Sequence, residues 1–178
     1  MQEVKYQKGV GLLDILVALL LLAIAVLGFV ALQLRAVEAT AEGANRIQAM
    51  NIARDLAEKM RINSSAAAIL AYQTNLASAT SQASTPATNC YTAFCAPTAK
   101  AAFDVHEAYE QANSIGMVLN MLTCPGTANS RQCVYVAWGK TDPTNSTATT
   151  SGHIACTNST TSSFSYNDGS TCVVMEAY

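Results

Sequence analysis

Six cysteines carry the most explicit chemistry in this chain: Cys90, Cys95, Cys124, Cys133, Cys156 and Cys172. Thiols in even number form either a disulfide framework or a soft-metal site. No C-x-x-C pair occurs, and His106 and His153 are the only imidazoles that could complete a zinc shell. The disulfide reading is favoured, and it requires an oxidising compartment. Six cysteines allow 15 pairings; the spacings point to Cys90 with Cys95, Cys124 with Cys133, and Cys156 with Cys172. Asp14 is a second chemically telling residue, because a long apolar run begins immediately after it. A carboxylate at the head of such a run is costly in lipid unless it is neutralised or paired. Catalytic constellations are missing from the sequence: it has no G-x-S-x-G, H-E-x-x-H or P-loop pattern. His106, beside Glu107, reads as a solvated or capping residue. Asn167-Asp168-Gly169 reads as a turn, since no EF-hand spacing follows it.

The elements that must position these residues fall into two contrasting parts. Charged residues make up 12% of the 178-residue chain and the formal net charge is −2, which excludes a basic nucleic-acid footprint. Ile15 to Leu34 reads ILVALLLLAIAVLGFVALQL. As a helix this run spans about 30 Å, the thickness of a hydrocarbon core, and its insertion gains on the order of 4–8 kcal/mol. Lys5 and Lys8 precede it, so the N-terminus is expected in the cytoplasm and the cysteine-bearing part outside. A cleaved secretory signal ending at Ala39-Thr40-Ala41 is a rival, but the run exceeds the usual signal core and the helical pattern continues through that site. A plain single-pass anchor is the other rival.

Beyond Leu34 the pattern predicts continuation of the same helix to about Arg61, roughly 50 residues in all. Glu42 with Arg46 and Asp55 with Lys59 are favourably oriented i,i+4 pairs. Ala49, Ile52, Ala53, Leu56 and Met60 form an apolar stripe for a globular head. Asn63 and Ser64-Ser65 end the helix. Ser78 to Pro97 reads as a Ser/Thr/Ala-rich connection, and Ala99 to Leu122 as a second helix. Gln132 to Gly139 and Cys172 to Tyr178 read as strands, His153–Cys156 as a short strand and 167–169 as a hairpin turn. Thr141 to Ser163 reads as an exposed loop.

The residues around the start of the apolar run are Lys8-Gly9-Val10-Gly11-Leu12-Leu13-Asp14-Ile15. They resemble the class III signal of type IV pilins and type II secretion pseudopilins: a short basic leader ending in glycine, then an acid five residues into the mature chain. The resemblance implies prepilin-peptidase cleavage between Gly9 and Val10, N-methylation of Val10, and an assembly role for Asp14. Where this family usually has Phe and Glu, this chain has Val10 and Asp14. The new amine at Val10 and a neighbouring carboxylate would attract by roughly 4 kcal/mol at 4 Å before desolvation. Leu27-Gly28, Leu32-Gln33, the Cys124-Pro125-Gly126 turn and Tyr135-Val136-Ala137-Trp138 further resemble the PilV branch of minor pilins, the pilus modification proteins.

These readings converge on an α+β, pilin-like fold. A long N-terminal helix, transmembrane then amphipathic, packs on a small antiparallel sheet with disulfide-stapled loops. The expected parts are a leader at 1–9, a membrane or filament-core half at 10–34, an amphipathic half at 35–62 and a periplasmic head at 63–178. The resemblance implies a non-enzymatic minor pilin without cofactors, placed in the bacterial inner membrane and later in the extracellular pilus. It would help initiate pilus assembly and so support twitching motility, adhesion or DNA uptake. Its implied partners are other minor and major pilins, the prepilin peptidase and the inner-membrane assembly platform, with no direct nucleic-acid contact. A minor pseudopilin and a signal-anchored periplasmic binding module are the alternatives.

Overall fold

The first proline of the chain is Pro86, and the sequence before it is rich in alanine and leucine, which is the composition that sustains helix. A computed structural model describes residues 11–127, 131–160 and 163–177; Gly9 and Val10 lie outside that range. Helix α1 runs from Leu12 to Ile62, 51 residues. The chain divides into two compact units between Gly43 and Ala44. In the first, the helix is apolar from Leu12 to Leu34 and solvent-exposed throughout.

The second unit contains the rest. After Asn63 the chain turns at Ser65, whose hydroxyl accepts the Ala68 N–H at 3.3 Å and caps α2, Ala66–Leu76. A short α3 (Ala79–Ala83) follows inside the Ser/Thr/Ala-rich connection. Pro97 then occupies the first turn of α4, Pro97–Ser114, where its missing N–H costs nothing.

The strands are β1 (Met117–Thr123), β2 (Gln132–Trp138), β3 (Thr141–Asn145), β4 (Ile154–Thr157) and β5 (Cys172–Glu176). An antiparallel sheet has the order β1-β2-β5, and β3 pairs with β4 in a separate parallel pair. Register puts Met121, Val134 and Met175 side by side, as it does Leu119, Val136 and Val173. These residues share one sheet face and join a core with Ala49, Ile52, Ala53, Leu56, Ala57 and Met60 of α1, and with buried residues of α2 and α4. The predicted stripe on α1 is therefore the helix's buried edge. The opposite sheet face carries Cys133, Tyr135, Ala137 and Cys172, which form a second buried cluster with Cys124 and Cys156. The head is layered: helices, three-stranded sheet, then the β3–β4 pair.

Three expectations are corrected. The second helix does not reach Leu122: it ends at Ser114, and Met117–Thr123 is a strand. Met117, Val118, Met121 and Leu122 have a spacing that suits either period. Gly116, with φ of 71°, breaks the helix, and burial then alternates along β1. Thr141 to Ser163 is not one exposed loop, because it contains β3 and β4, and Thr141, Asp142, Thr157 and Ser159 are buried. Asn167-Asp168-Gly169 does form a turn, with Gly169 at φ of 74°, but the strands flanking it do not pair into a hairpin.

Candidate functional site

Along the apolar half of α1, every large hydrophobic side chain from Leu12 to Leu34 is at least 43% exposed. A helix of this length and apolarity is able to cross a membrane. Asp14 stands in its first turn, and its Oδ2 accepts the Gly11 N–H at 3.3 Å. There the carboxylate meets one of the helix's unsatisfied N-terminal donors and the positive end of the macrodipole. The structure thus places Asp14 at the lip of the run. The first charges after the run are the Arg35–Glu38 pair, at 3.1 Å.

In the head, the structure joins Cys90 to Cys95, Cys124 to Cys133 and Cys156 to Cys172. All six sulfurs are consumed in these bonds. The Cys124–Cys133 bridge ties the end of β1 to the start of β2. Cys156–Cys172 ties β4 to β5, two strands that share no backbone ladder.

The Cys90–Cys95 loop is anchored by charge as well as sulfur. The Tyr91 hydroxyl donates to Glu107 of α4, the same carboxylate accepts from Lys59 of α1 at 3.2 Å, and Lys59 also meets Asp55 at 2.9 Å. Burial opposes the Lys59 charge, but Asp55 and Glu107 outweigh it and hold the ammonium's pKa above the usual lysine value. The Tyr91 ring stacks edge-on against Phe103, with centroids 5.2 Å apart. The Asn63 amide donates to the Pro97 carbonyl at 2.8 Å, which fixes the following turn to the end of α1.

Two buried carboxylates organise the rest. Asp104 accepts from the Tyr72 hydroxyl at 2.6 Å and pairs with Lys100. Burial first, and then Asp104, raise the Tyr72 pKa, so its proton stays in that bond. Asp142 accepts from the Thr149 and Thr150 backbone N–H groups at 2.7 and 2.6 Å and from the Thr149 hydroxyl at 3.0 Å, while its other oxygen lies 2.7 Å from His153 Nδ1. Burial works against this carboxylate, yet the Thr150 N–H, His153 and Thr149 prevail and lower its pKa to about 2. Its work is to hold the 146–153 loop against β3. His106 Nδ1 lies 3.0 Å from the Gln82 carbonyl, and the Gln82 amide donates to the carbonyls of Leu76 and Leu119.

Asp14 and the cysteines sit on different units of the chain. Reasoning from sequence overlooked Asp142 and gave Glu107, named only as the neighbour of His106, no partner of its own. A lone acid in a Ser/Thr-rich stretch gives no sequence signal for Asp142, and the partners of Glu107, Lys59 and Tyr91, are too far from it along the chain for spacing to reveal. His153, weighed from sequence only as an imidazole that could complete a zinc shell, has Asp142 as its partner.

Residues 31–106 match the family model described as Tt1218-like, type IV pilin Tt1218. That stretch runs from the end of the apolar helix, through the amphipathic half of α1, α2 and α3, into α4. Neither a curated protein nor a solved structure matches the chain.

Proposed function

We propose that this chain is a subunit of a type IV pilus, inserted through Leu12–Leu34 in the bacterial inner membrane with its head in the periplasm, and later packed by the same helix in a filament. The carrying observation is a single helix, α1, whose first half is wholly exposed apolar surface and whose second half supplies the core stripe of the head. An apolar surface of that kind needs lipid or other helices around it. The similarity of residues 31–106 to type IV pilins supports the same reading. Three disulfides agree with an oxidising periplasm.

Within this reading the chain divides into a leader at 1–9, a core helix half at 10–34, an amphipathic half at 35–62 and a head at 63–178. Prepilin peptidase cuts after Gly9, and Val10 becomes the methylated terminus. The amine of Val10 and the carboxylate of Asp14 on a neighbouring helix set the axial register during addition by the assembly platform. The chain acts as a minor, PilV-like pilin that helps initiate assembly together with other pilins, and it serves motility, adhesion or DNA uptake through the fibre rather than by catalysis.

Asp14→Ala tests the register role. The variant is expected to be processed and inserted like the parent, while its amount in sheared surface filaments falls about tenfold, the effect of losing on the order of 1.4 kcal/mol of attraction. Equal incorporation of parent and variant would show that the acid sets no register.

A further inference from the structure

The three disulfides stand in different surroundings. Cys124, Cys133, Cys156 and Cys172 are buried together beside Tyr135 and Ala137, and their bridges tie strands to one another. Cys90 and Cys95 are only half-buried, and their bridge closes a loop between α3 and α4 that contains no helix or strand. A thiol in solution reaches this sulfur pair directly, whereas the other two pairs come within reach only when the head opens.

The loop has few other ties. Among the described residues, the backbone of 85–95 makes backbone hydrogen bonds only within that stretch. The Asn89 carbonyl accepts the Thr92 and Ala93 N–H groups at 3.2 and 3.1 Å, and the Asn89 side chain accepts the Tyr91 N–H at 2.9 Å. Toward the rest of the head the loop extends the Tyr91 hydroxyl, donated to Glu107, and the Tyr91 ring, edge-on to Phe103. Both ties belong to a side chain that is 74% exposed. Cys95 leads within two residues into α4, so the bridge is what fixes the 89–93 turn to the start of that helix.

We propose that Cys90–Cys95 is a reversible redox clip: a dithiol opens it by exchange, the loop is released, and the rest of the head stays folded. In an oxidising compartment the closed form is the resting one, and the reductant is a dithiol protein of the thioredoxin kind. Its thiolate attacks Cys90 Sγ; an S–S bond forms there as the Cys90–Cys95 bond breaks, and the electron pair leaves on Cys95 Sγ. Cys95 is the better leaving group. It precedes Ala96, which caps α4 without a side-chain hydrogen bond, and the positive end of the helix favours an anion there. The reductant's second thiolate then attacks its own sulfur in the mixed disulfide and frees Cys90. In sum the dithiol becomes a disulfide, and two electrons and two protons pass to Cys90 and Cys95. Opening frees Tyr91 and Phe94 from fixed places, so the surface beside the C-terminal end of α1 depends on redox state.

The test takes the full-length chain, purified in detergent, through dithiothreitol without denaturant, alkylation and peptide mass mapping. Cys90 and Cys95 are expected to take label at least about tenfold faster than the four buried cysteines. Chymotrypsin is expected to cut after Tyr91 or Phe94 about tenfold faster than in the oxidised chain, and oxidised glutathione restores the slowly cut form. Reduced glutathione in place of dithiothreitol, quenched by alkylation, leaves glutathione on Cys90 and the alkyl group on Cys95. Six cysteines labelled together, a buried pair labelled first, or a loop cut no faster once reduced overturn the clip. Glutathione found chiefly on Cys95 overturns the assigned leaving group. The clip does not rest on the filament reading, which stands whichever result is obtained.

Discussion

Asp142 illustrates how one side chain can hold a segment that has little apolar content of its own. Its carboxylate takes three donors from Thr149 and Thr150 and faces His153. Its pKa is lowered from 3.8 to about 2, so the stabilisation is fully present above the unfolded value and disappears as pH falls through the folded one. Asp142→Asn is therefore expected to cost about 2 kcal/mol of stability at pH 7. The difference from the parent should shrink between about pH 4 and pH 2. Urea unfolding of the two proteins at several pH values checks this; a gap that persists at pH 2 contradicts it. Nothing in the residue types announces this site. Asp142 and His153 belong to a Ser/Thr-rich stretch without apolar alternation, and only the parallel pairing of β3 with β4 brings the loop onto the acid.

At the scale of elements, the disulfides stand in for hydrogen-bonded ladders that the sheet lacks. β4 and β5 belong to different sheets, and Cys156–Cys172 joins them across 16 residues of chain. In the loop-entropy account, removing that bridge by Cys156→Ala with Cys172→Ala costs about 3 kcal/mol, and removing Cys90–Cys95, across 5 residues, costs nearer 2 kcal/mol. Denaturant midpoints of the two double variants should rank in that order, and the reverse order would mean that the second layer is held chiefly by packing. Elements with one strong period were legible in the sequence. The stripe Ala49, Ile52, Ala53, Leu56 and Met60 predicted the buried edge of α1, and QCVYVAW predicted β2. The boundary between α4 and β1 was not, since Met117, Val118, Met121 and Leu122 satisfy a helical and a strand period alike. The left-handed backbone at Gly116 resolves that ambiguity in the fold. β3 escaped notice because Pro143 lies inside it, and proline ordinarily argues against a strand.

For the whole molecule, the sequence contrast between a charge-poor apolar run and a cysteine-stapled polar remainder becomes two units of unlike physics. One is a helix with no internal burial and the other a layered α+β head. Such a helix is stable in a bilayer and equally in a bundle of its own kind, since both surround it with apolar groups. This double solubility is the physical core of the pilin reading. It was legible because twenty or so consecutive apolar residues admit few other fates. The match over residues 31–106 begins where that run ends, and the proposed processing at Gly9 and Val10 comes from the sequence motif before the run. The most direct measurement is the mass of the chain's N-terminal peptide recovered from sheared surface filaments. N-methylated Val10 as the first residue is the predicted result, with Gly9→Ala leaving only longer precursor in the membrane. A chain that keeps Met1, or one that begins at Glu42, would contradict the account.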